Sequence, residues 1–125
     1  MYRKIVVLLL CLSGSVSAHE WTPTYPKMER SFIQGVMVTK MQLFNNRQDV
    51  DWFEFSVFDK DFEQIPHSVI NGKIQNVNYL QRKTIEVYIR SKDIDRATYI
   101  CSRSKNISNS NSATFIASRI CSKIK

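Results

Sequence analysis

Residues 84–90, TIEVYIR, alternate between polar and apolar side chains along their whole length. Successive side chains of an extended chain point to opposite faces, so this alternation is typical of a β-strand with one buried face. It predicts that Ile85, Val87 and Ile89 face a core while Tyr88 and the polar residues face outward. A single strand is not stable alone, and the fold therefore depends on partner strands elsewhere in the sequence.

Similar strand signals recur along the chain at short, even intervals. They predict strands over residues 36–44, 51–58, 66–70, 73–80, 97–103 and 114–124. Turn residues separate them, including Asn45-Asn46, Asn71-Gly72 and the polar run 105–112. About seven strands with turns near every ten residues predict an all-β chain, folded as an immunoglobulin-like β-sandwich.

The composition is that of one folded domain. Of 125 residues 43% are hydrophobic, and there are only three Gly and three Pro, which excludes a disordered chain and a two-domain enzyme. The net charge is +7, from 18 basic and 11 acidic residues. A basic chain raises the question of nucleic acid as a partner, but the sequence holds no recognition motif for it, and we expect no nucleic acid.

The first 18 residues have the three parts of an export signal. The basic residues Arg3 and Lys4 precede an apolar run, residues 5–12, and Val16-Ser17-Ala18 supplies the small residues of a cleavage site. The apolar run is far shorter than the roughly twenty residues needed to cross a bilayer. We therefore expect residues 1–18 to be a signal peptide that is removed, and residues 19–125 to form a single exported domain without a membrane span.

Export determines how the cysteines are interpreted. Cys11 would leave with the signal, while Cys101 and Cys121 would remain in an oxidising compartment, where two thiols usually form a disulfide. A hairpin centred on Asn111 would place them directly opposite each other, whereas a tip near Asn109 would put them several residues out of register. Closing a loop of about twenty residues would contribute about 3 kcal/mol. The Cys and His spacing fits no zinc site, so we expect no metal.

Histidine is too scarce to indicate catalysis. The chain contains His19 and His67 and no Ser/His/Asp or Cys/His arrangement for a nucleophile, so we expect a protein that is not an enzyme and has no cofactor. One remote alternative is a periplasmic copper-binding protein. In it, His19 at the mature amino terminus would hold Cu(II) through its amine and imidazole, with His67 as a second imidazole.

Six segments of the chain match the segments of a known family. They are Thr22-Pro23-Thr24, Leu43-Phe44-Asn45-Asn46, residues 50–58, Gln81-Arg82-Lys83 with residues 85–90, Asp95-Arg96-Ala97-Thr98-Tyr99, and residues 117–125. Together they resemble the amino-terminal domain of periplasmic pilus-assembly chaperones, the PapD-like family of the chaperone–usher pathway. The resemblance implies an immunoglobulin-like domain, a periplasmic location and a function in pilus or fimbrium biogenesis.

The family mechanism is strand addition. An exposed edge strand gives main-chain hydrogen bonds and a row of apolar side chains to a client that lacks a strand. The last predicted strand has this form, because Ile116, Ile120 and Ile124 share one face of an extended chain. The resemblance therefore implies a protein client, a pilin-like subunit, and an outer-membrane usher as a second candidate partner.

The family also holds the carboxylate at the end of a pilin subunit, with an Arg from the opening strand and a Lys from the last strand. Here Lys125, or less readily Lys123, matches the Lys, but Tyr25 stands where the family has Arg. Further basic residues fall largely on the last three predicted strands and predict a positive face suited to carboxylates. They are Lys83, Arg90, Arg96, Arg103 and Arg119.

Two alternatives stay open at this point. In the first alternative, both faces of the last strand are covered within the domain, which leaves no apolar row for a client. Alternatively, the chain would itself be a structural or accessory subunit of a pilus or surface fibre, since pilins are also small exported immunoglobulin-like domains with one disulfide. A pilin needs an alternating apolar extension at its start, whereas residues 19–30 are aromatic and polar and contain Pro23 and Pro26, which favours the chaperone.

Overall fold

A computed structural model describes residues 18–106 and 117–125. The predicted signal peptide, residues 1–18, lies outside this part except for Ala18. The described strands are β1 (Glu20–Thr22), β2 (Glu29–Arg30), β3 (Val36–Phe44), β4 (Trp52–Phe58), β5 (Ser68–Val69), β6 (Ile74–Asn76), β7 (Arg82–Arg90), β8 (Tyr99–Lys105) and β9 (Arg119–Lys123), with one 3-10 turn at Ser91–Asp93. No helix among the described residues is long and apolar enough to span a membrane.

The strands form two antiparallel sheets that pack face to face. The first sheet has the order β1-β3-β7-β5, with β2 beside the other end of β3, and the second has the order β6-β4-β8-β9. This arrangement confirms the predicted all-β, immunoglobulin-like sandwich. The link between β5 and β6 crosses from one sheet to the other at Asn71-Gly72, where both residues take positive φ values, 68° and 101°. Gly72 accommodates the larger of these angles because it has no Cβ.

The core consists of the inward faces predicted from the alternation. Ile85, Val87 and Ile89 of β7 are each at most 1% exposed. Three residues of β4 meet them from the opposite sheet and are as completely buried: Phe53, Phe55 and Val57. Trp21 of β1 closes one side, because its ring stacks on Phe55 at 5.3 Å and its Nε1–H donates to the carbonyl of Ile100 at 3.0 Å.

Several strand boundaries differ from the prediction for local reasons. β3 spans residues 36–44 as predicted, but β8 begins at Tyr99 instead of residue 97. The carbonyl of Asp93 accepts hydrogen bonds from the N–H groups of Arg96 and Ala97, and this turn delays the strand. β6 ends at Asn76 because a turn follows, in which Leu80 has a φ of 61°. The sequence prediction did not include β1 or β2, which are too short for alternation to show.

Candidate functional site

β9 is the last strand of the second sheet and lies at its edge. It pairs only with β8 within that sheet, and Cys101 lies directly opposite Cys121 in the register. The two cysteines form a disulfide, which confirms the predicted pairing and the hairpin register centred on Asn111. Asn111 itself lies outside the described residues. The edge strand is therefore fastened covalently to β8, the one strand that pairs with it in this sheet among the described residues.

The backbone of β9 alternates between the β8 side and the open side. The N–H of Ser104 donates to the carbonyl of Ser118, and the N–H of Ile124 donates to the carbonyl of Thr98, so even-numbered residues of β9 face β8. The odd-numbered residues Arg119 and Cys121 therefore turn their N–H and C=O groups away from the sheet. Within the described residues no neighbouring strand pairs with this stretch.

The far end of β9 is covered by the segment that follows β1. The N–H of Lys123 donates to the carbonyl of Thr24 at 3.0 Å, and the N–H of Lys125 donates to that of Pro26 at the same distance. The residue numbers of both segments increase in the same direction along the pairing, so the segment after β1 runs parallel to the end of β9. Tyr25 lies between these two contacts and is 62% exposed. Tyr25, which stands where the family has Arg, thus lies in the segment that pairs with Lys123 and Lys125.

The side chains of β9 divide between the core and solvent. Ile120 and Ile124 are half-buried and pack against the home core, and Ser122 between them is buried. Lys123 and Lys125 are exposed. Ile116, the third predicted client-contacting isoleucine, lies outside the described residues. Ile120 and Ile124 share one face as the spacing predicts, but that face covers the chain's own core instead of projecting freely into solvent.

The predicted basic face is split between the two sheets. Lys83 and Arg90 belong to β7 in the first sheet, whereas Arg103 and Arg119 lie directly opposite each other in the second. The guanidinium of Arg119 lies 5.3 Å from the centre of the Phe58 ring, a cation–π contact that holds this charge over the outer face of the second sheet. The expectation of one positive face was wrong, because β7 and β8 are consecutive in sequence but occupy different sheets.

A buried polar network that the sequence analysis missed lies beside β9. His19 is 2% exposed, with Nε2 2.6 Å from Ser102 Oγ and Nδ1 3.2 Å from Ser118 Oγ. Its ring packs edge-on against Phe53, with 4.8 Å between the ring centres. Burial, reinforced by the charge of Arg47, lowers the pKa of His19 to about 4, so the ring is neutral at pH 7.

Arg47 forms the charged part of this network and is itself buried. It binds Asp49 in a two-pronged ion pair, with Nε 3.0 Å from Oδ1 and Nη2 2.6 Å from Oδ2. The hydrogen bonds from Arg47 lower the pKa of Asp49 against an opposing effect of burial. Nη1 of Arg47 also reaches the hydroxyls of Ser104 and Ser118, at 3.5 and 3.4 Å. The sequence signal for this network was the pair of serines, 102 and 104, on the inward face of β8.

The geometry does not favour the copper alternative. Both ring nitrogens of His19 already lie against serine hydroxyls, and the His67 ring contacts the carbonyls of Ile65 and Phe55 at 2.7 and 3.4 Å. Across residues 18–106 and 117–125, no group of three His, Cys, Asp or Glu side chains is arranged to hold a metal ion. Copper binding by His19 would require the network around it to open.

Comparison with known proteins identifies the fold. No family model matches the sequence, and no curated protein sequence matches it either. A chain of the Salmonella enterica SafA pilin in complex with the SafB chaperone superposes over 86% of this chain, with a TM-score of 0.62 and 14% identity. The crystal structure of the E. coli chaperone DraB superposes over 86% as well, with a TM-score of 0.61 and 12% identity.

This chain spans about half the length of these structures, 52% and 53% respectively. The likeness shows that most of the chain has the PapD-like pilus-chaperone fold, as the resemblance in the sequence implied.

Proposed function

We propose that the chain is a non-enzymatic, chaperone-like protein that binds a pilin-like subunit by β-strand addition along β9. The observation that carries the proposal is the open side of β9, where the main-chain groups of Arg119 and Cys121 face away from the sheet. A client strand laid along this side would complete its hydrogen bonds without disturbing the pairing of β9 with β8. Among the described residues the segment after β1 covers only the end of β9, so the stretch at Arg119 and Cys121 stays open to a partner strand.

Two sets of side chains would serve a bound client. Ile120 and Ile124 lie at the seam between the home core and the open edge, so a client that adds a strand would extend the apolar layer they belong to. Lys123 and Lys125 would provide charge for a carboxylate at the end of the client. Ile116 would continue the apolar row towards the start of the strand. We assign this role to all five residues.

The setting of the proposal is the periplasm. Residues 1–18 would act as the signal peptide and residues 19–125 as the exported domain, in a compartment that allows the disulfide of β8 and β9 to form. An outer-membrane usher would be the second partner. The structural likeness to a pilin–chaperone complex and to a pilus chaperone supports a protein client of the pilin kind.

The alternative of a pilus subunit receives no specific support. A donor extension must be free to leave its own domain, whereas residues 20–26 pair with both sheets of this one. β1 pairs with β3 in the first sheet, and Thr24 and Pro26 accept hydrogen bonds from Lys123 and Lys125 next to the second. Residues 20–26 are therefore built into the home sandwich.

The decisive test is to remove a single outward N–H from β9. In Arg119→Pro the missing N–H is one that faces the open side, so the ladder with β8 stays intact. The matched control is Arg119→Ala, which loses the same side chain but keeps the N–H. Each protein is refolded with purified pilin subunits that lack their donor extension, SafA among them. The soluble complexes are quantified by size-exclusion chromatography.

We expect the native chain and Arg119→Ala to retain a subunit and Arg119→Pro to lose it. Lys125→Ala should weaken the complex. Lys92→Ala should not, because Lys92 is an exposed lysine that is distant from β9 in the sequence. Equal retention by Arg119→Pro and Arg119→Ala would refute strand addition at β9. Failure of the native chain to retain any subunit would remove the chaperone proposal altogether.

A further inference from the structure

An apolar groove lies on the outer face of the first sheet, whereas β9 belongs to the second sheet. Its volume is about 360 Å³, and its floor is formed by the outward-facing residues Val36, Ser68 and Tyr88. Phe32 and Ile33 overhang it from the loop between β2 and β3, and Pro66 and Ile70 wall the other side. A groove of this size is within the range of small-molecule sites.

The loop that overhangs the groove is held in place by hydrogen bonds. The hydroxyl of Ser31 donates to the carbonyl of Val36 at 2.6 Å and accepts from the N–H of Ile33 at 3.1 Å. Gly35 takes a φ of 77°, and its carbonyl accepts from the N–H of Ser91 at 2.9 Å, which ties the loop to the end of β7. Phe32 is nevertheless 88% exposed. A fixed loop that presents a bare aromatic ring is a feature of a binding surface, because the fold does not need it.

One end of the groove is positive. Arg90 lines the groove opposite Val36, and its Nε and Nη2 bind Asp93 at 3.0 and 2.9 Å. The other oxygen of Asp93 binds Arg96 at 2.7 Å, so two guanidinium groups share one carboxylate. A guanidinium has five N–H donors, and Arg90 thus keeps donors for a second anion.

The remaining polar groups of the groove do not offset this charge. Burial lowers the pKa of His67, so its ring is neutral at pH 7. Glu86, which precedes Tyr88 on the outer face of β7, accepts a hydrogen bond from the Tyr88 hydroxyl at 3.4 Å and lies 3.7 Å from the ammonium of Lys40. The groove therefore has an apolar body with one cationic end.

We propose that this groove binds a fatty acid, with its alkyl chain along Phe32, Ile33, Pro66 and Ile70 and its carboxylate on Arg90. Charge complementarity identifies the occupant, since two guanidinium groups share the one carboxylate of Asp93 and Arg90 keeps N–H donors that Asp93 does not use. The site is separate from β9 and would operate whether or not the chain binds pilins.

The first test compares ligands that differ in one part only. Decanoate, decanol and decyltrimethylammonium are titrated into the native chain by isothermal calorimetry, below their micelle concentrations. Decanoate should bind most tightly, octanoate less tightly and hexanoate least, by about fourfold for each CH₂ that leaves the groove. Equal affinity for decanoate and decanol, or no binding of decanoate, would overturn the proposal.

The second test compares variants. Arg90→Gln should weaken decanoate about tenfold and leave decanol unchanged, because only the charged hydrogen bonds are lost. Arg96→Gln is the matched control, since it removes the other partner of Asp93 from outside the groove and should leave decanoate binding unchanged. Phe32→Ser should weaken both ligands several-fold, whereas Leu80→Ser, an exposed apolar residue elsewhere, should weaken neither.

Sedimentation of the same variants separates the proposal from other occupants. If the native chain dimerises in a manner that Phe32→Ser abolishes, while decanoate binding is insensitive to Arg90→Gln, the groove is an interface between two copies and the fatty-acid site is refuted. If Arg90→Gln and Arg96→Gln weaken decanoate equally, the effect comes from the loop around Asp93, and the assignment of Arg90 to the carboxylate is wrong.

Discussion

Replacing His19 should remove much of the pH dependence of stability between pH 6.5 and pH 4. In the folded chain burial lowers the pKa of His19 to about 4, whereas in the unfolded chain the ring titrates near 6.5. The fold therefore favours the neutral ring, and unfolding takes up a proton once the pH falls below about 6.5. Above that pH the stabilisation from His19 is fully present, and it is lost progressively as the pH falls towards 4.

The size of the effect follows from the two pKa values. A difference of about 2.5 pKa units corresponds to about 3 kcal/mol, with a slope of up to about 1.4 kcal/mol per pH unit. The folded chain would lose this amount of unfolding free energy between pH 6.5 and pH 4. For a domain whose total stability is about 5 to 15 kcal/mol, that is a large fraction.

Urea unfolding measures the effect directly, with the fluorescence of the two tryptophans, Trp21 and Trp52, as the signal. The native chain and His19→Gln are compared at half-unit steps from pH 8 to pH 4.5. The native curve should fall steeply below pH 6.5, and the His19→Gln curve should start lower but fall less.

A second histidine has to be separated from the first. Burial also lowers the pKa of His67, which gives a slope of the same sign as the pH falls below about 6.5. The variant His67→Gln removes that contribution and leaves the slope from His19. The lowered pKa values of Asp49 and Asp93 act at lower pH, since carboxylates lose their stabilising charge only on protonation. Parallel curves for the native chain and His19→Gln would refute the burial argument for His19.

Three further expectations concern stability at neutral pH. Replacing both Cys101 and Cys121 by Ala should lower the unfolding free energy, measured in urea, by about 3 kcal/mol. The cause is the entropy of the loop that the disulfide closes, which depends on the sequence separation of 20. An unchanged unfolding free energy would contradict this account. Asp93→Asn should lower the melting temperature, because two arginines lose their shared partner, whereas Asp95→Asn at an exposed neighbouring site should not. Trp21→Phe keeps the aromatic packing but loses the indole donor, and should lower the unfolding free energy by about 1 kcal/mol, with a loss above about 3 kcal/mol indicating a packing defect instead.

The parts of the fold that the sequence predicted well are those in which local pattern and burial coincide. The alternation in β7 placed Ile85, Val87 and Ile89 in the core, and the expected disulfide between Cys101 and Cys121 favoured the register of β8 and β9 that the structure has. Period-two patterning reports which residues face inward, and a disulfide reports which residues lie opposite each other. Neither signal reports which sheet a strand joins.

That limitation explains the main errors at the candidate site. β7 and β8 were predicted to present their basic residues on one face, but the turn around Asp93 carries the chain from the first sheet to the second. The buried position of His19 was equally invisible, because its partners, Ser102 and Ser118, are distant in sequence and become neighbours only through the register of β9. Polar residues on the inward face of a strand are the one local sign of such a network.

The segment Thr24–Pro26 sets a length limit on any strand that lies along β9. A strand that begins beside Arg119 has an open edge as far as Cys121, and beyond that point it meets a stretch already paired with Lys123 and Lys125. To go further it would have to displace two hydrogen bonds for the same number gained, with no net advantage. The segment Thr24–Pro26 therefore limits how far a strand that docks on β9 could extend towards Lys125.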